Sequence, residues 1–173
     1  EELPDTIETV LAVDRWLWFL AAENVFTDDD SYLTKGADYQ LYYDVVTGQI
    51  HPLEHDGNES FNVRSVQQDP LESEDNANRP VISRLLSVPE YRQRYLAHTR
   101  AILEDSFDWT VLEPSVQRYR MLIEDEVKAD TKKLYTNEEF DSAILQLEDL
   151  VTSRRQFLLS HTEIARQAPE ILS

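Results

Sequence analysis

The feature that most constrains this chain is a short aromatic segment that lies between two acidic clusters. Residues 39–44 (YQLYYD) lead through Thr47-Gly48 into residues 49–53 (QIHPL). Bulky residues alternate along the segment and Gly48 supplies a turn, so we expect a β-hairpin over residues 39–53. The flanking clusters are residues 28–30 (DDD) and 55–59 (HDGNE). A hairpin between them predicts that Asp30 and Asp56 lie close together.

The sequence before the hairpin predicts helices within residues 5–25. Asp5 and Glu8 have the spacing of a capping box, and Asp14 is in place to cap a second helix, Arg15 to Val25. That second helix carries the run WLWFL at 16–20, which is apolar nearly all round. A helix with apolar residues on every side is typically buried, so we expect it at the centre of the fold.

The sequence after the hairpin predicts a long polar loop over residues 62–79 and then four helices. Pro80 fits the first turn of the first, residues 90–105 form the second, and residues 114–127 form the third. The last helix follows a capping box at Thr136 and Glu139 and runs to about Ser160. In the third helix we expect four apolar residues to face inward: Val116, Tyr119, Leu122 and Ile123. The predicted fold is mainly α with one small β-hairpin, with about six helices around the buried one.

The charge balance restricts the class of partner. Lys and Arg number 16 against 34 Asp and Glu, so the formal net charge is −18. A field of this sign repels nucleic acid and anionic lipid and favours metal ions and basic proteins. The chain has no Cys, and no apolar run approaches the length that crosses a membrane. It starts at Glu1 rather than Met, which we interpret as processing or as a piece of a longer protein.

The residues favour one kind of chemistry, a carboxylate and metal site. Three Gly cannot build a phosphate-binding glycine loop, and four scattered His argue against zinc. Mg²⁺ prefers oxygen ligands, and phosphoryl transfer needs a carboxylate near the acceptor hydroxyl. Asp30 suits the acceptor role, and Asp56, with Asp38 or Asn58, suits the metal role. The alternative, which stays open, is that these acids are solvated surface groups.

The chain also resembles the CotH family of bacterial spore-coat and related proteins, which have an atypical protein-kinase fold. The resemblance covers nearly the whole length, and the order and spacing of its motifs make it specific. The stretches that carry it are 14–32, 38–42 (DYQLY), 55–61 (HDGNESF), 79–86 (RPVISRLL), 91–95 (YRQRY), 147–150 (LEDL) and 154–158 (RRQFL).

The resemblance implies roles for individual residues. The Asp-Ser-Tyr motif carries the catalytic aspartate, which is Asp30, and the acid after the hairpin is the metal-binding aspartate, Asp56. Asp38 stands where the family often has Asn. Of the family's Pro-Trp-Asp-x-Asp pattern, this chain keeps only the first Asp and has Asn58 at the second. The implied cofactors are ATP and Mg²⁺, and the implied substrate is a Ser/Thr-containing protein of basic character.

The resemblance further implies that residues 1–173 form one helical lobe, similar to the C-terminal lobe of a kinase. Within it, residues 1–61 carry the site, 62–79 form a loop and 80–173 form a helical bundle. The N-terminal lobe that grips ATP has no counterpart in the sequence, so we expect the chain alone to be inactive. The family points to the bacterial envelope, the extracellular space or the spore coat, and it says nothing of oligomeric state.

Two other functions stay open. The first is a structural module, in which the family fold persists without catalysis and its acidic face binds a basic partner. That alternative is motivated by Asp38 and Gly57, where the sequence departs from the family pattern. The second is an acidic domain stabilised by Ca²⁺, suggested by the order DGNE at 56–59, although the remaining ligands of a calcium-binding loop are missing.

Overall fold

A computed structural model describes residues 3–166 of the chain, and within that range the fold is mainly helical. One antiparallel hairpin interrupts the helices, as predicted, and a seven-residue helix follows the long loop. The elements in chain order are α1 (Leu3–Ile7), α2 (Val13–Val25), β1 (Tyr39–Asp44), β2 (Gln49–Glu54), α3 (Pro80–Leu86), α4 (Pro89–Asp105), α5 (Trp109–Ala129), α6 (Asn137–Ser160) and α7 (Thr162–Ala165).

Helix α2 is the central element, as its sequence predicted. Trp16, Leu17 and Leu20 are fully buried, and α2 packs most extensively against α4. The prediction of burial on every side was wrong for Trp18, which is partly exposed and stacks on His98 with ring centroids 4.1 Å apart. The Trp16 indole N–H donates to the backbone carbonyl of Ile50 (3.1 Å), so the central helix also holds the hairpin.

The hairpin has the predicted extent and turn. Tyr39 pairs with Glu54 and Asp44 with Gln49, and Gly48 adopts the left-handed conformation, with φ of +75°, which glycine adopts without steric cost. A two-stranded hairpin is marginal alone in water. Here the outer edge of β2 receives a third segment, because Ile50 bonds through its backbone to Val10 and Ala12.

The long loop over residues 62–79 is irregular apart from one short 3₁₀ turn, and a buried arginine fixes it to the core. Arg154 of α6 is fully buried and donates to the carbonyls of Val66 (3.1 Å) and Gln68 (2.6 Å). It also donates to the backbone and side-chain oxygens of Asn24 at the end of α2. One guanidinium thus joins three separate stretches of the chain.

The predicted position of the third C-terminal helix was wrong in two respects. Helix α5 begins at Trp109, five residues before the predicted start at Pro114, because the Asp108 side chain caps it. Pro114 lies inside the helix. Tyr119, Leu122 and Ile123 are exposed rather than inward-facing, because beyond its first turn α5 packs mainly against α6.

The predicted starts of the first two helices were also wrong. Helix α1 begins at Leu3, so Asp5 lies within it rather than at its start. Helix α2 begins at Val13 and its N-cap position is Ala12, so Asp14 lies in the first turn, where its charge favours the helix dipole. By contrast, the capping box of Thr136 and Glu139 is present at the start of α6 as predicted. In residues 3–166 no helix has the length and apolar character needed to cross a bilayer.

Candidate functional site

The two acidic clusters that flank the hairpin lie side by side in the fold. The backbone N–H of Phe61 donates to the carbonyl of Phe26 (2.7 Å), and the N–H of Asp29 donates to the carbonyl of Glu59 (3.3 Å). Edge-to-face contact of the Phe26 and Phe61 rings, 5.4 Å apart, anchors the same pairing in the core, where both rings also meet Phe107. The segments 26–31 and 57–62 therefore form one acidic surface, which we call the acidic junction.

Asp28 is the carboxylate that directly connects the two segments. It is only 4% exposed. Its Oδ1 accepts from the backbone N–H of Asp30 (3.0 Å), and its Oδ2 accepts from the Ser60 hydroxyl (3.1 Å). A carboxylate with both oxygens engaged in this way is fixed in position, and it fixes the backbone that carries Asp30.

A second carboxyl group lies beneath Asp28. Glu23 of α2 is 3% exposed; its Oε1 accepts from the backbone N–H of Tyr32 (3.3 Å), and its Oε2 is buried without a hydrogen-bond partner among the described residues. Burial, reinforced by the charges of Glu54 and Asp28, raises the pKa of Glu23 to about 9. Partial burial first, and then the charge of Asp28, also raises the pKa of Glu54. At neutral pH the Glu23 carboxyl is therefore protonated.

Gly57 lies between these groups. A β-carbon added to it would be 3.8 Å from Oε1 of Glu54, 4.0 Å from Oδ2 of Asp28 and 3.5 Å from the Ser60 hydroxyl. A β-carbon at residue 57 would therefore make only ordinary van der Waals contacts, two of them with carboxylate oxygens.

The backbone around the junction is strained. Five non-glycine residues in the described range have positive φ, and three of them lie in or next to the paired segments: Thr27 (53°), Asp56 (55°) and Phe61 (59°). The left-handed conformation is costly for a β-branched residue such as Thr and for a bulky one such as Phe. Strain of this kind clusters at functional sites, where surrounding contacts hold it in place.

Asp30, the predicted catalytic residue, lies on this junction and is paired with a lysine. Its Oδ1 is 2.6 Å from the Nζ of Lys35, which also lies 3.5 Å from Asp29. The hydrogen bond to Asp30 is the main reason that the pKa of Lys35 is raised. The Asp30 side chain keeps about a third of its surface exposed, so a ligand can reach it.

Of the other three predicted site residues, Asn58 lies in the second segment of the junction, Asp56 directly precedes that segment, and Asp38 lies outside the junction at the start of the hairpin. Asp56 has a left-handed backbone (φ 55°, ψ 53°) and precedes the 3₁₀ turn that contains Asn58. Both are exposed, and within residues 3–166 neither side chain has a hydrogen-bond or ionic partner. Asp38, also left-handed with φ of 44°, precedes β1 and is half-buried.

The donor chemistry of these residues fits Mg²⁺, but they do not form a complete protein cage. No group of three or more His, Cys, Asp or Glu side chains in the described range is arranged to hold a metal ion. Mg²⁺ commonly takes only one or two carboxylates and fills its other positions with water and phosphate oxygens. The carboxylate of Asp56 and the amide oxygen of Asn58, which have no partner among the described residues, are two oxygen ligands of the kind that such a Mg²⁺ site needs.

Sequence reasoning missed Glu23, Asp28 and Lys35. A signal for Glu23 was present, because Trp16, Leu20 and Glu23 follow the i, i+4, i+7 spacing of one helix face, the face that is buried. Asp28 has two acidic neighbours, and only the contact with Ser60, 32 positions away, distinguishes it from them. Lys35 is the only Lys or Arg between residues 28 and 59, a local charge contrast that marks it in the sequence.

A comparison with models of known protein families gives a match. The model of the CotH kinase protein family matches residues 1–158 of the 173. No curated protein sequence matches the chain. The family match spans α1 to the last turn of α6 and includes the whole acidic junction. On this evidence, the chain belongs to the CotH kinase family.

Proposed function

We propose that this chain carries the catalytic carboxylates of a CotH-type kinase that transfers the γ-phosphoryl group of ATP to a Ser or Thr hydroxyl of a protein. The observation that carries the proposal is the acidic junction, where the backbone bonds of Phe61 and Asp29 hold the Asp30 and Asp56 segments side by side. Phosphoryl transfer depends on placing the acceptor hydroxyl and the phosphate charges, and two adjacent acidic segments suit these two tasks.

In this proposal Asp30 orients the acceptor hydroxyl. Lys35 occupies Oδ1 of Asp30, so Oδ2 accepts the hydroxyl hydrogen bond. As the new bond to phosphorus forms and the bond to ADP breaks, the proton passes to this carboxylate. Asp28 serves as a positioning residue, because it holds the backbone N–H of Asp30.

Asp56 holds the metal in this proposal, with Asn58 and Asp38 as supporting oxygen ligands. A bound Mg²⁺ would neutralise charge on the β- and γ-phosphate oxygens. The protein contributes the left-handed turn at Asp56, which leaves the carboxylate without a protein partner and therefore available to the ion.

We further propose that a β-rich lobe elsewhere in the parent protein grips ATP above the hairpin, so that this chain corresponds to the C-terminal lobe of a kinase. The apolar exposure of one face of the hairpin supports this, because Tyr42 and Leu53 lie on the same face and are both solvent-exposed. Exposed apolar clusters of this kind mark surfaces that contact another molecule or domain.

A scaffold without catalysis is the second candidate. Two observations favour it: the described residues contain no complete metal cage, and the ion pair with Lys35 already engages Asp30. In that case the acidic junction would bind a basic partner and nothing would be phosphorylated. MgATP binding separates the candidates, because a scaffold has no reason to bind nucleotide.

The expected result for the kinase proposal concerns two substitutions in the full-length protein that contains this chain. Asp30→Asn should keep MgATP binding but lower phosphoryl transfer by about 100-fold or more, because the acceptor loses its carboxylate. Asp56→Asn should lower phosphoryl transfer and, unlike Asp30→Asn, should also weaken MgATP binding. Calorimetry measures the binding, and transfer of labelled phosphate to a basic Ser-containing peptide measures the reaction.

The matched control is Asp75→Asn, which removes one exposed acid from the 62–79 loop and should change neither measurement. Transfer that persists unchanged in both site variants would eliminate the kinase proposal. The 173-residue chain alone should bind MgATP weakly and show no turnover, and turnover by it would contradict the proposed second lobe.

A further inference from the structure

The hairpin has one protected edge and one open edge. On the protected side, the backbone N–H of Ile50 donates to Val10 and its carbonyl accepts from Ala12, and Pro52 has no N–H to offer. The edge of β2 is thus closed to a further strand. Within residues 3–166 the edge of β1 has no such protection, and its sequence YQLYYD contains neither Pro nor Lys. Natural proteins usually block an open edge with such residues.

The register shows which backbone groups of β1 point outward. Because Ile50 uses both of its backbone groups on the far side of β2, the pair Tyr43–Ile50 is not hydrogen-bonded within the hairpin. Pairs alternate along an antiparallel ladder, so Leu41–Pro52 is also not bonded. The N–H and C=O groups of Leu41 and Tyr43 therefore face away from β2 and have no backbone partner within residues 3–166.

The side chains along this edge are suited to contact. Leu41 is 57% exposed and Tyr43 is 58% exposed, and both lie on the same face of the hairpin as Tyr39, which is partly buried against the core. An added strand could bury these two side chains and bond to the four free backbone groups. This is the pattern of peptide recognition by strand addition, in which the backbone gives affinity and alternate side chains give specificity.

The negative charge around the hairpin determines which kind of added strand would bind. Residues 28–59 contain eight Asp and Glu and one Lys, a net charge of −7 (1 − 8), and that Lys is already paired with Asp29 and Asp30. A second copy of this chain would bring the same negative region against itself, at a cost in repulsion. A cationic segment would be attracted.

We propose that the open edge of β1 binds an extended, Lys- or Arg-containing segment of another protein by strand addition. The segment forms main-chain hydrogen bonds with Leu41 and Tyr43 and presents its cationic side chains to the acidic residues around the hairpin. This goes beyond the proposed function, because the edge would bind such a segment whether the protein phosphorylates it or only holds it.

The test uses the 173-residue chain without nucleotide and a nine-residue probe peptide, KVTVKVTVK. Fluorescence anisotropy of labelled peptide should show saturable binding. Amide hydrogen exchange should slow about tenfold or more at Leu41 and Tyr43. The amide of Tyr42, which already pairs within the hairpin, should not change and serves as the internal control.

Two changes separate strand addition from general attraction between opposite charges. Methylating the peptide nitrogens that face β1 keeps every charge but removes the main-chain bonds, so binding should weaken about tenfold or more. Leu41→Pro removes the outward N–H together with the leucine side chain, both of which the added strand would contact, and should have the same effect, whereas Val46→Ser at the exposed turn should bind as the wild type does. Circular dichroism checks that both variants fold.

Equal binding of the methylated and unmethylated peptides would overturn the proposal, as would unchanged exchange at Leu41 and Tyr43. Self-association of the chain that Leu41→Pro abolishes would also overturn it, because a second copy would then occupy the edge. None of these measurements involves ATP. Failure here is therefore distinguishable from failure of the Asp30 and Asp56 experiments.

Discussion

Replacing Arg154 with Met should lower the free energy of unfolding by about 3–5 kcal/mol. The guanidinium makes four hydrogen bonds to residues 24, 66 and 68 from a fully buried position. Met fills much of the same volume but leaves the carbonyls of Val66 and Gln68 buried without their donor. A domain of this size is stable by only about 5–15 kcal/mol, so the loss would be a large part of the total.

Urea unfolding followed by circular dichroism measures this effect. Burial lowers the pKa of Arg154 to about 10, so the group is still charged at neutral pH. It donates through its two terminal nitrogens, while its Nε–H has no partner among the described residues. Arg154→Lys should cause an intermediate loss, because one ammonium has three donors and cannot reach all four oxygens. Arg118→Met, at an exposed position over the Tyr119 ring, should change the free energy by less than about 0.5 kcal/mol. Equal losses in the Arg154→Met and Arg118→Met variants would refute the role assigned to Arg154.

Replacing Glu23 with Gln should make stability less dependent on pH. The pKa of Glu23 is about 9 in the folded protein and near 4.5 in the unfolded chain, so the folded state binds more protons between these values. The free energy of unfolding of the wild type therefore falls, through this group, as pH rises from about 4.5 to about 9. Gln has nearly the same shape as the protonated carboxyl and does not titrate.

The two proteins should have similar stability at pH 5, and at pH 8 the variant should be more stable, by an amount on the order of 3 kcal/mol. Urea unfolding at the two pH values provides the comparison. Glu72→Gln, at an exposed loop position, removes the same formal charge and should show no such divergence. A constant difference between the Glu23→Gln variant and the wild type across this pH range would show that Glu23 is ionised in the folded state.

The elements that the sequence predicted well have strong local signals. The hairpin needs only alternating bulky residues and a turn at Gly48, and α6 begins at a capping box whose two bonds join residues three positions apart. The central position of α2 also followed from its own composition. In each case the information lies within about twenty residues, so no knowledge of the remaining chain was needed.

The errors arose where the outcome depends on distant contacts. The apolar residues of α5 have helical spacing, but this spacing does not show whether another element covers them. Among the described elements, only α6 packs extensively against α5. In the same way, the fixing of Asp28 within its acidic run depends on Ser60. The sequence pointed to two acidic segments that the fold brings side by side. It could not show that Asp28 holds the backbone N–H of Asp30, or that Glu23 is buried and holds the backbone N–H of Tyr32.

The projection of α5 and the first half of α6 beyond the core has a consequence for cooperativity. None of the 21 residues of α5 is buried against the described chain, whereas the second half of α6 holds Val151, Arg154 and Leu158 in the core. Segments with few buried contacts open locally at a smaller cost than the core requires. We therefore expect α5 and the first half of α6 to open before the core does, in which case a single unfolding midpoint would describe only the part that holds the acidic junction.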